Sequence, residues 1–300
     1  MVKIKLGYSI GLPVNSKENY SEYSNENINL IKYFAKNFYC VQIMFSKSII
    51  TDEELQKINY ILKNYKLVYV HASYQINIGS ELIPSKKELF NSSLNILLNE
   101  IKYAIKINAR GIVLHMGKNV KNKYDYSIIY NNMVKFIIEL FKNLKKNKNK
   151  IQILLETPAG QSGEMCWDIL EFINFIKNFS HLYFYPQLNI CLDTCHLFKA
   201  GIDINDNNTI TNIHKILKPI IKKIKLIHLN DSYHPVGSKI DRHAQIGKGY
   251  IKVNQLIKFI YPFRSIPMIL ETNDPLIKGS DILYEKQINL INNSDENIKK

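Results

Sequence analysis

Seven segments of this 300-residue chain end on, or carry, side chains that bind metal ions. They read LVYVH (67–71), GIVLH (111–115), IQILLE (151–156), LNICLDTCH (188–196), KLIHLND (225–231), DRH (241–243) and PMILE (267–271). A short apolar run followed at once by His, Asp or Glu is the pattern of a buried strand that delivers a ligand to an open barrel mouth. The side chains so delivered are His71, His115, Glu156, Asp193, His196, His228, Asp241, His243 and Glu271. Several ions bound by carboxylate and imidazole, with positions left open for water and substrate, need about this inventory. The chain therefore reads as a multi-metal hydrolase.

The spacing of the runs sets the architecture. Eight strands are predicted, at Lys3–Ile10, Cys40–Ser46, Leu67–Ser73, Gly111–Gly117, Ile151–Thr157, Leu188–Thr194, Lys225–Asp231 and Pro267–Asn273. Helical spacing of apolar residues occupies Asn27–Asn37, Asp52–Asn64, Ser85–Ile107, Ser127–Leu144, Cys166–Asn178, Thr209–Lys223 and Val253–Tyr261. Strand–helix alternation repeated this often argues a parallel sheet closed into a (β/α)8 TIM barrel, an α/β fold. Right-handed crossovers then put the C-terminal end of every strand, and so the active site, on one face. A doubly wound open sheet would scatter the ligands along about 40 Å, at roughly 4.8 Å per strand. Convergence of the ligands needs the ring. The expectation is one domain over residues 1–285 and a polar, frayed tail over 286–300. The lysine-rich Lys142–Lys150 reads as a solvated face turned away from the ligands.

Hydrophobic residues make up 46% of the chain, enough for a sizeable core. The formal charge is +14, which favours a polyanionic partner through counterion release, although biased lysine usage on solvated helices would give the same number. The four cysteines, Cys40, Cys166, Cys191 and Cys195, form no CxxC pair, and three lie in apolar strand-like runs where reduced core thiols are ordinary. A Cys191–Cys195 bridge is the alternative. The opening MVKIKLGYSIGLPV is too polar for a secretory signal, and no run of about 18 apolar residues exists, so an intracellular, soluble protein with no membrane partner is expected.

Each signal has a plainer reading. A lone His on an apolar run is more often a core imidazole, but His71, His115 and His228 repeat the pattern at three strand ends. Glu156 and Glu271 follow apolar runs and would be costly to bury unless paired or metal-bound, and neither has a Lys or Arg beside it. Asp241 and His243 project to the same side of an extended segment and can share an ion, while Asp193 and His196 bracket a turn. These two clusters serve one metal or two. The absence of thiolate suits zinc or manganese in an open catalytic site. His181, His214 and His234 are given no role.

The segments HASYQINIG (71–79), GIVLHMG (111–117), LLETPAGQSGE (154–164), CLDTCHLFKAGID (191–203), IHLNDS (227–232), GSKIDRHAQIGKGYI (237–251) and PMILETN (267–273) together resemble the endonuclease IV family of metal-dependent apurinic/apyrimidinic endonucleases. The likeness is collinear from about residue 3 to 280. It implies a trinuclear zinc site in a TIM barrel, with Mn2+ an alternative occupant. His71, His115 and Glu156 would hold one ion; Glu156 would bridge to a second, also held by Asp193, His228 and Glu271; the third would take His196, Asp241 and His243. Glu271 and Glu156 are the implied catalytic groups: ion-acidified water, oriented by Glu271, would attack phosphorus 5′ to an abasic deoxyribose, leaving a 3′-hydroxyl and a 5′-deoxyribose phosphate. 3′-End trimming is a further implied activity.

The implied partner is duplex DNA with abasic sites, bound by a monomer with no nucleotide cofactor. Tyr74 matches an inserted wedge, and Gln42 and Arg242 match contacts to the lesion and its backbone. The chain departs from the family at Gly7-Tyr8-Ser9-Ile10, in the arginine-free SKSIITDEE after Phe45, and at Gln75 beside the wedge. The competing reading is a sugar isomerase or epimerase on the same barrel, whose sites usually need one or two ions. The third cluster and the basic charge argue against it.

Overall fold

Strands covered on both faces read as near-continuous apolar runs, and GIVL at Gly111–Leu114 is buried at every position. The computed structural model describes residues 4–12, 36, 38–45, 50–80, 87–120, 123–146, 151–272 and 280–299. Its strands are β1 (Leu6–Leu12), β2 (Cys40–Phe45), β3 (Leu67–His71), β4 (Gly111–Leu114), β5 (Gln152–Glu156), β6 (Leu188–Asp193), β7 (Ile224–His228), β8 (Asp231–Ser232), β9 (His243–Ala244) and β10 (Met268–Leu270). Eight of them close a barrel in the order β1-β10-β7-β6-β5-β4-β3-β2, with every pairing parallel. The fold is the predicted TIM barrel.

The described helices are α1 (Asp52–Leu62), α2 (Lys87–Lys106), α3 (Tyr126–Lys146), α4 (Ile169–Lys177), α5 (Thr194–Lys199), α6 (Asn207–Leu217), α7 (Val253–Ile260) and α8 (Ser280–Lys299). Side chains start them where the chain must leave extended backbone. Thr51 and Glu54 close a capping box on α1, and Asp168 and Asp206 cap α4 and α6. Asp168 explains why the helix predicted from Cys166 begins three residues later. The helix predicted over Asn27–Asn37 and the strand residue Asn273 lie outside the described residues, apart from residue 36; so do the last four residues of Lys142–Lys150.

Two predictions need correction. The strand expected over Lys225–Asp231 breaks after His228, because Asp231 and Ser232 turn away to pair antiparallel with Ala244 and His243. Residues 286–299 are helical, part of α8, rather than a frayed tail. Their polar composition hides a stripe at helical spacing: Tyr284, Gln287, Ile291 and Asp295 are buried, and Asp295 meets Arg264 at 2.7 Å. All four cysteines are free and buried. Among the described residues no helix is long and apolar enough to cross a membrane.

Candidate metal centre

A buried layer of Cys40, Tyr69, Val113, Leu154, Cys191, Leu226 and Ile269, drawn from seven strands, forms its own cluster inside the barrel. Side chains two residues apart on a strand share a face. Two residues on from each member stand Gln42, His71, His115, Glu156, Asp193, His228 and Glu271, so one step up the barrel converts an apolar plug into a polar ring. The eighth strand obeys the same rule with Gly7 and Ser9. Gly7 must lack a side chain, since a Cβ there would come within 2.3 Å of the Cys40 carbonyl oxygen. His115 and Glu271 lie one residue past β4 and β10, while His71, Glu156, Asp193 and His228 end their strands.

The other three predicted ligands come from above the ring. Asp193 caps α5 by accepting the His196 N–H at 2.7 Å, which fixes His196 in the first turn of that helix. His243 opens β9, and Asp241 lies two residues before it in the same loop. That loop is tied down by Asp231, whose carboxylate accepts backbone N–H groups from Ser232, Gly247, Gly249 and Ile251 at 2.7–3.1 Å.

The nine residues meet. Glu156 turns Oε2 toward His115 Nε2 (2.9 Å) and His71 Nε2 (3.4 Å), and Oε1 toward His228 Nδ1 (2.7 Å). His228 Nδ1 also faces Glu271 Oε2 at 3.0 Å and Asp193 Oδ2 at 3.7 Å. Asp241 Oδ1 lies 3.2 Å from His196 Nε2 and 3.3 Å from His243 Nε2, and those two nitrogens are 3.4 Å apart. Counting imidazole and carboxylate donors alone, three overlapping groups result, with Glu156 in two of them. Asp193 links the second to the third, its Oδ2 lying 3.8 Å from His243 Nε2. The Cys191 thiol also stands within reach of Glu156 and His228, and the Cys195 thiol within reach of Asp241 and His243.

Hydrogen bonds behind the rings set the tautomers. His71, His196 and His243 direct Nδ1 at the carbonyl oxygens of Ala72, Thr157 and Glu271, at 2.8, 2.9 and 3.2 Å. A carbonyl only accepts, so Nδ1 carries a proton there and Nε2 is the nitrogen turned to the centre. His228 is inverted: its Nε2 faces Gln42 Oε1 at 2.9 Å, leaving Nδ1 inward. The inward imidazole nitrogens face carboxylate oxygens, and His228 Nδ1 hydrogen-bonds Glu156 Oε1 at 2.7 Å. Glu156 Oε2 is buried and completes no hydrogen bond despite the two nearby nitrogens. Donor atoms around a tetrahedral zinc with bonds of about 2.0–2.1 Å stand roughly 3.3–3.4 Å apart. The His196, Asp241 and His243 donors have that spacing. The donor set fits metal ions.

The electrostatics agree. Burial alone would lower the His196 pKa, yet Asp193, Asp241 and Glu156 hold it well above its ordinary value. His228 is held well above its own in the same way, with Glu271 and Glu156 among the causes. Burial would raise the Glu271 carboxyl, but His228 and His243 keep it down at about 2. Glu156 and Asp241 are likewise held below the ordinary carboxylate range, by His228 and His115 and by His196 and His243, against the pull of burial. The centre attracts positive charge.

The residues read as DNA contacts fall in different places. Tyr74 is 69% exposed at the mouth, its ring centroid 5.4 Å from His71 and 5.2 Å from His115. Arg242 is exposed, and its Nη1 donates to the Asp241 carbonyl at 3.1 Å. Gln42 is fully buried: its Nε2 donates to Glu271 Oε1 at 2.6 Å while its Oε1 meets His228, so in this structure it orients two of the predicted ligands from behind. Sequence reasoning missed its companions. Asn230 donates to Asp193 Oδ2 at 2.7 Å and accepts the Glu271 N–H at 2.9 Å, and Thr157 Oγ1 accepts the Asp193 N–H at 2.9 Å. Asn230 lies two residues past His228, so the same-face rule carried one step further would have found it.

A family model described as a xylose isomerase-like TIM barrel matches residues 35–293. Proteins named "Probable endonuclease 4" match closely. That of Mesomycoplasma hyopneumoniae strain J is 36% identical over 256 residues, covering 78% of this chain and 82% of the relative. That of Sulfurihydrogenibium sp. is 34% identical over 228 residues, covering 74% and 77%. Among solved structures, endonuclease IV from Thermus thermophilus superposes with a TM-score of 0.70 at 19% identity, covering 98% of this chain and 99% of that one. A D-tagatose 3-epimerase-like protein reaches 0.66 at 16% identity, covering 97% and 99%, so the barrel alone does not separate nuclease from epimerase. The sequence relatives do: the chain belongs to the endonuclease IV family within the xylose isomerase-like TIM barrels, and it is an enzyme of the nuclease class.

Proposed function

We propose that this protein is a metal-dependent apurinic/apyrimidinic endonuclease of DNA base-excision repair, hydrolysing the phosphodiester 5′ to an abasic deoxyribose in duplex DNA and leaving a 3′-hydroxyl and a 5′-deoxyribose phosphate. The observation that carries this reading is the meeting of three donor groups in one barrel mouth, on a chain 36% identical to a protein named as an endonuclease. The residues suit three zinc ions: His71, His115 and Glu156 for the first, Glu156, Asp193, His228 and Glu271 for the second, and His196, Asp241 and His243 for the third. Manganese is accepted by the same donor types. Bound ions of this class acidify water and neutralise charge on a phosphoryl group and its leaving oxygen.

The chain's own groups do the rest. Glu271 stays ionised, with Oε1 fixed by Gln42 and its backbone N–H held by Asn230, so it presents a fixed acceptor that orients the attacking water toward phosphorus. Glu156 keeps two donor groups in register through its two oxygens. Tyr74, exposed at the rim, wedges into the duplex beside the lesion, and Arg242 contacts the backbone. The net charge of +14 favours a polyanion. All nine ligands come from one chain, so a monomer suffices. A sugar epimerase would leave the third donor group without a task.

A duplex bearing a single abasic site tests the product chemistry. The expected upstream fragment ends in a 3′-hydroxyl that a DNA polymerase extends directly. An unextendable 3′-unsaturated aldehyde would mean lyase chemistry and would contradict the proposal, as would turnover of ketohexoses with no incision. Release of a 3′-phosphoglycolate from a nicked duplex tests 3′-end trimming.

A further inference from the structure

Lys199, the last residue of α5, is a lysine with no exposed surface, and its Nζ lies 3.3 Å from Asp241 Oδ1. That oxygen is the one that faces His196 Nε2 at 3.2 Å and His243 Nε2 at 3.3 Å. His196 and Lys199 are three apart on one helix and so share a face, which brings both to the same carboxylate. Among the described residues, Glu156, Asp193 and Glu271 have only imidazoles within ion-pair distance, and Asp241 alone of the nine ligands also has a lysine.

A buried ammonium needs a carboxylate partner, and among the described residues Asp241 is the carboxylate within ion-pair distance of Lys199. A metal ion held by His196, Asp241 and His243 would draw on the same oxygen. Groups behind metal ligands usually raise ligand basicity; a cation on the ligand atom lowers it, and in a water-poor setting it also repels the ion directly. We propose that Lys199 is a resident cation that competes with the third ion, making that ion the last of the three to load and the first to leave. This inference rests on the three-ion reading of the centre.

The test is zinc titration against a chromogenic chelator, reading ions per chain at saturation and the dissociation constant of the weakest step, for wild type, Lys199→Met and Lys199→Arg. With the centre as read, all three proteins saturate at three ions. The weakest step should tighten roughly 10- to 100-fold in Lys199→Met, the range for changes behind a ligand, and stay within about threefold of wild type in Lys199→Arg. A purely structural lysine would not divide the two variants by charge. An unchanged or weakened step in Lys199→Met, or equal tightening in Lys199→Arg, overturns the proposal and leaves the three-ion centre intact. Saturation at two ions in all three proteins would instead remove the three-ion reading, and the proposal with it. Should Lys199→Met fail to give a cooperative thermal melt, Lys199→Gln carries the same expectation.

Discussion

The side-chain amide of Gln42 donates to Glu271 Oε1 at 2.6 Å, joining residues 229 positions apart in the chain. Its other end meets His228, so a single glutamine on β2 orients two of the ligands proposed for the second ion. Gln42→Leu keeps the side-chain size and removes both bonds. Zinc retained against a buffered chelator, and kcat, should each fall roughly 10- to 100-fold, while affinity for undamaged duplex stays near wild type. Normal zinc retention with weakened binding to abasic DNA would return Gln42 to the role of a lesion contact.

Glu100 on α2 is buried behind the wedge loop and accepts the Ser73 N–H at 3.1 Å, one residue before Tyr74. Burial pushes its carboxyl from 4.5 up to about 7. Between those values the folded protein keeps a proton that the unfolded chain has lost, so the stability Glu100 contributes is fully present below about pH 4.5 and is lost as pH rises through about 7. Glu100→Gln keeps an acceptor for Ser73 and cannot ionise. Relative to wild type it should gain on the order of 2 kcal/mol between pH 5 and pH 8.5, read from paired urea unfolding curves. A difference that does not change with pH would contradict the assignment.

Tyr74 stands exposed over the His71 and His115 rings, so its removal should spare the fold and the proposed metal centre. For Tyr74→Ala, the Kd for a duplex with a non-cleavable abasic analogue should rise roughly tenfold, the scale of one lost stacking contact, with little change for intact duplex. Anisotropy titrations of the two duplexes check this. Equal weakening of both would make Tyr74 a general backbone contact rather than a lesion wedge.

Much of the barrel was legible because its physics is local. Leu154 then Glu156, or Leu226 then His228, states in three residues that a strand plugs the interior and then offers a ligand. What escaped depended on pairing across the closed ring. Gln42 sits in CVQIMF as one polar residue among apolar ones, and only the closed barrel brings it to Glu271. The stripe of α8 was diluted by the asparagines and serine around Tyr284, Gln287 and Ile291. Lys199 was one more lysine in a lysine-rich chain until folding buried it against Asp241.

The central claim is metal-dependent hydrolysis at the Glu271 side of this centre, and incision of a duplex with one tetrahydrofuran abasic analogue tests it most directly. The analogue has no aldehyde, so a lyase cannot act on it. Wild type should cut 5′ to the analogue, lose that activity after prolonged chelation and recover it on adding zinc or manganese. Glu271→Gln should remain folded and at least about 100-fold less active, beyond the loss expected for a group one step removed from the metal. Incision that survives complete chelation, or full activity in Glu271→Gln, would contradict the account.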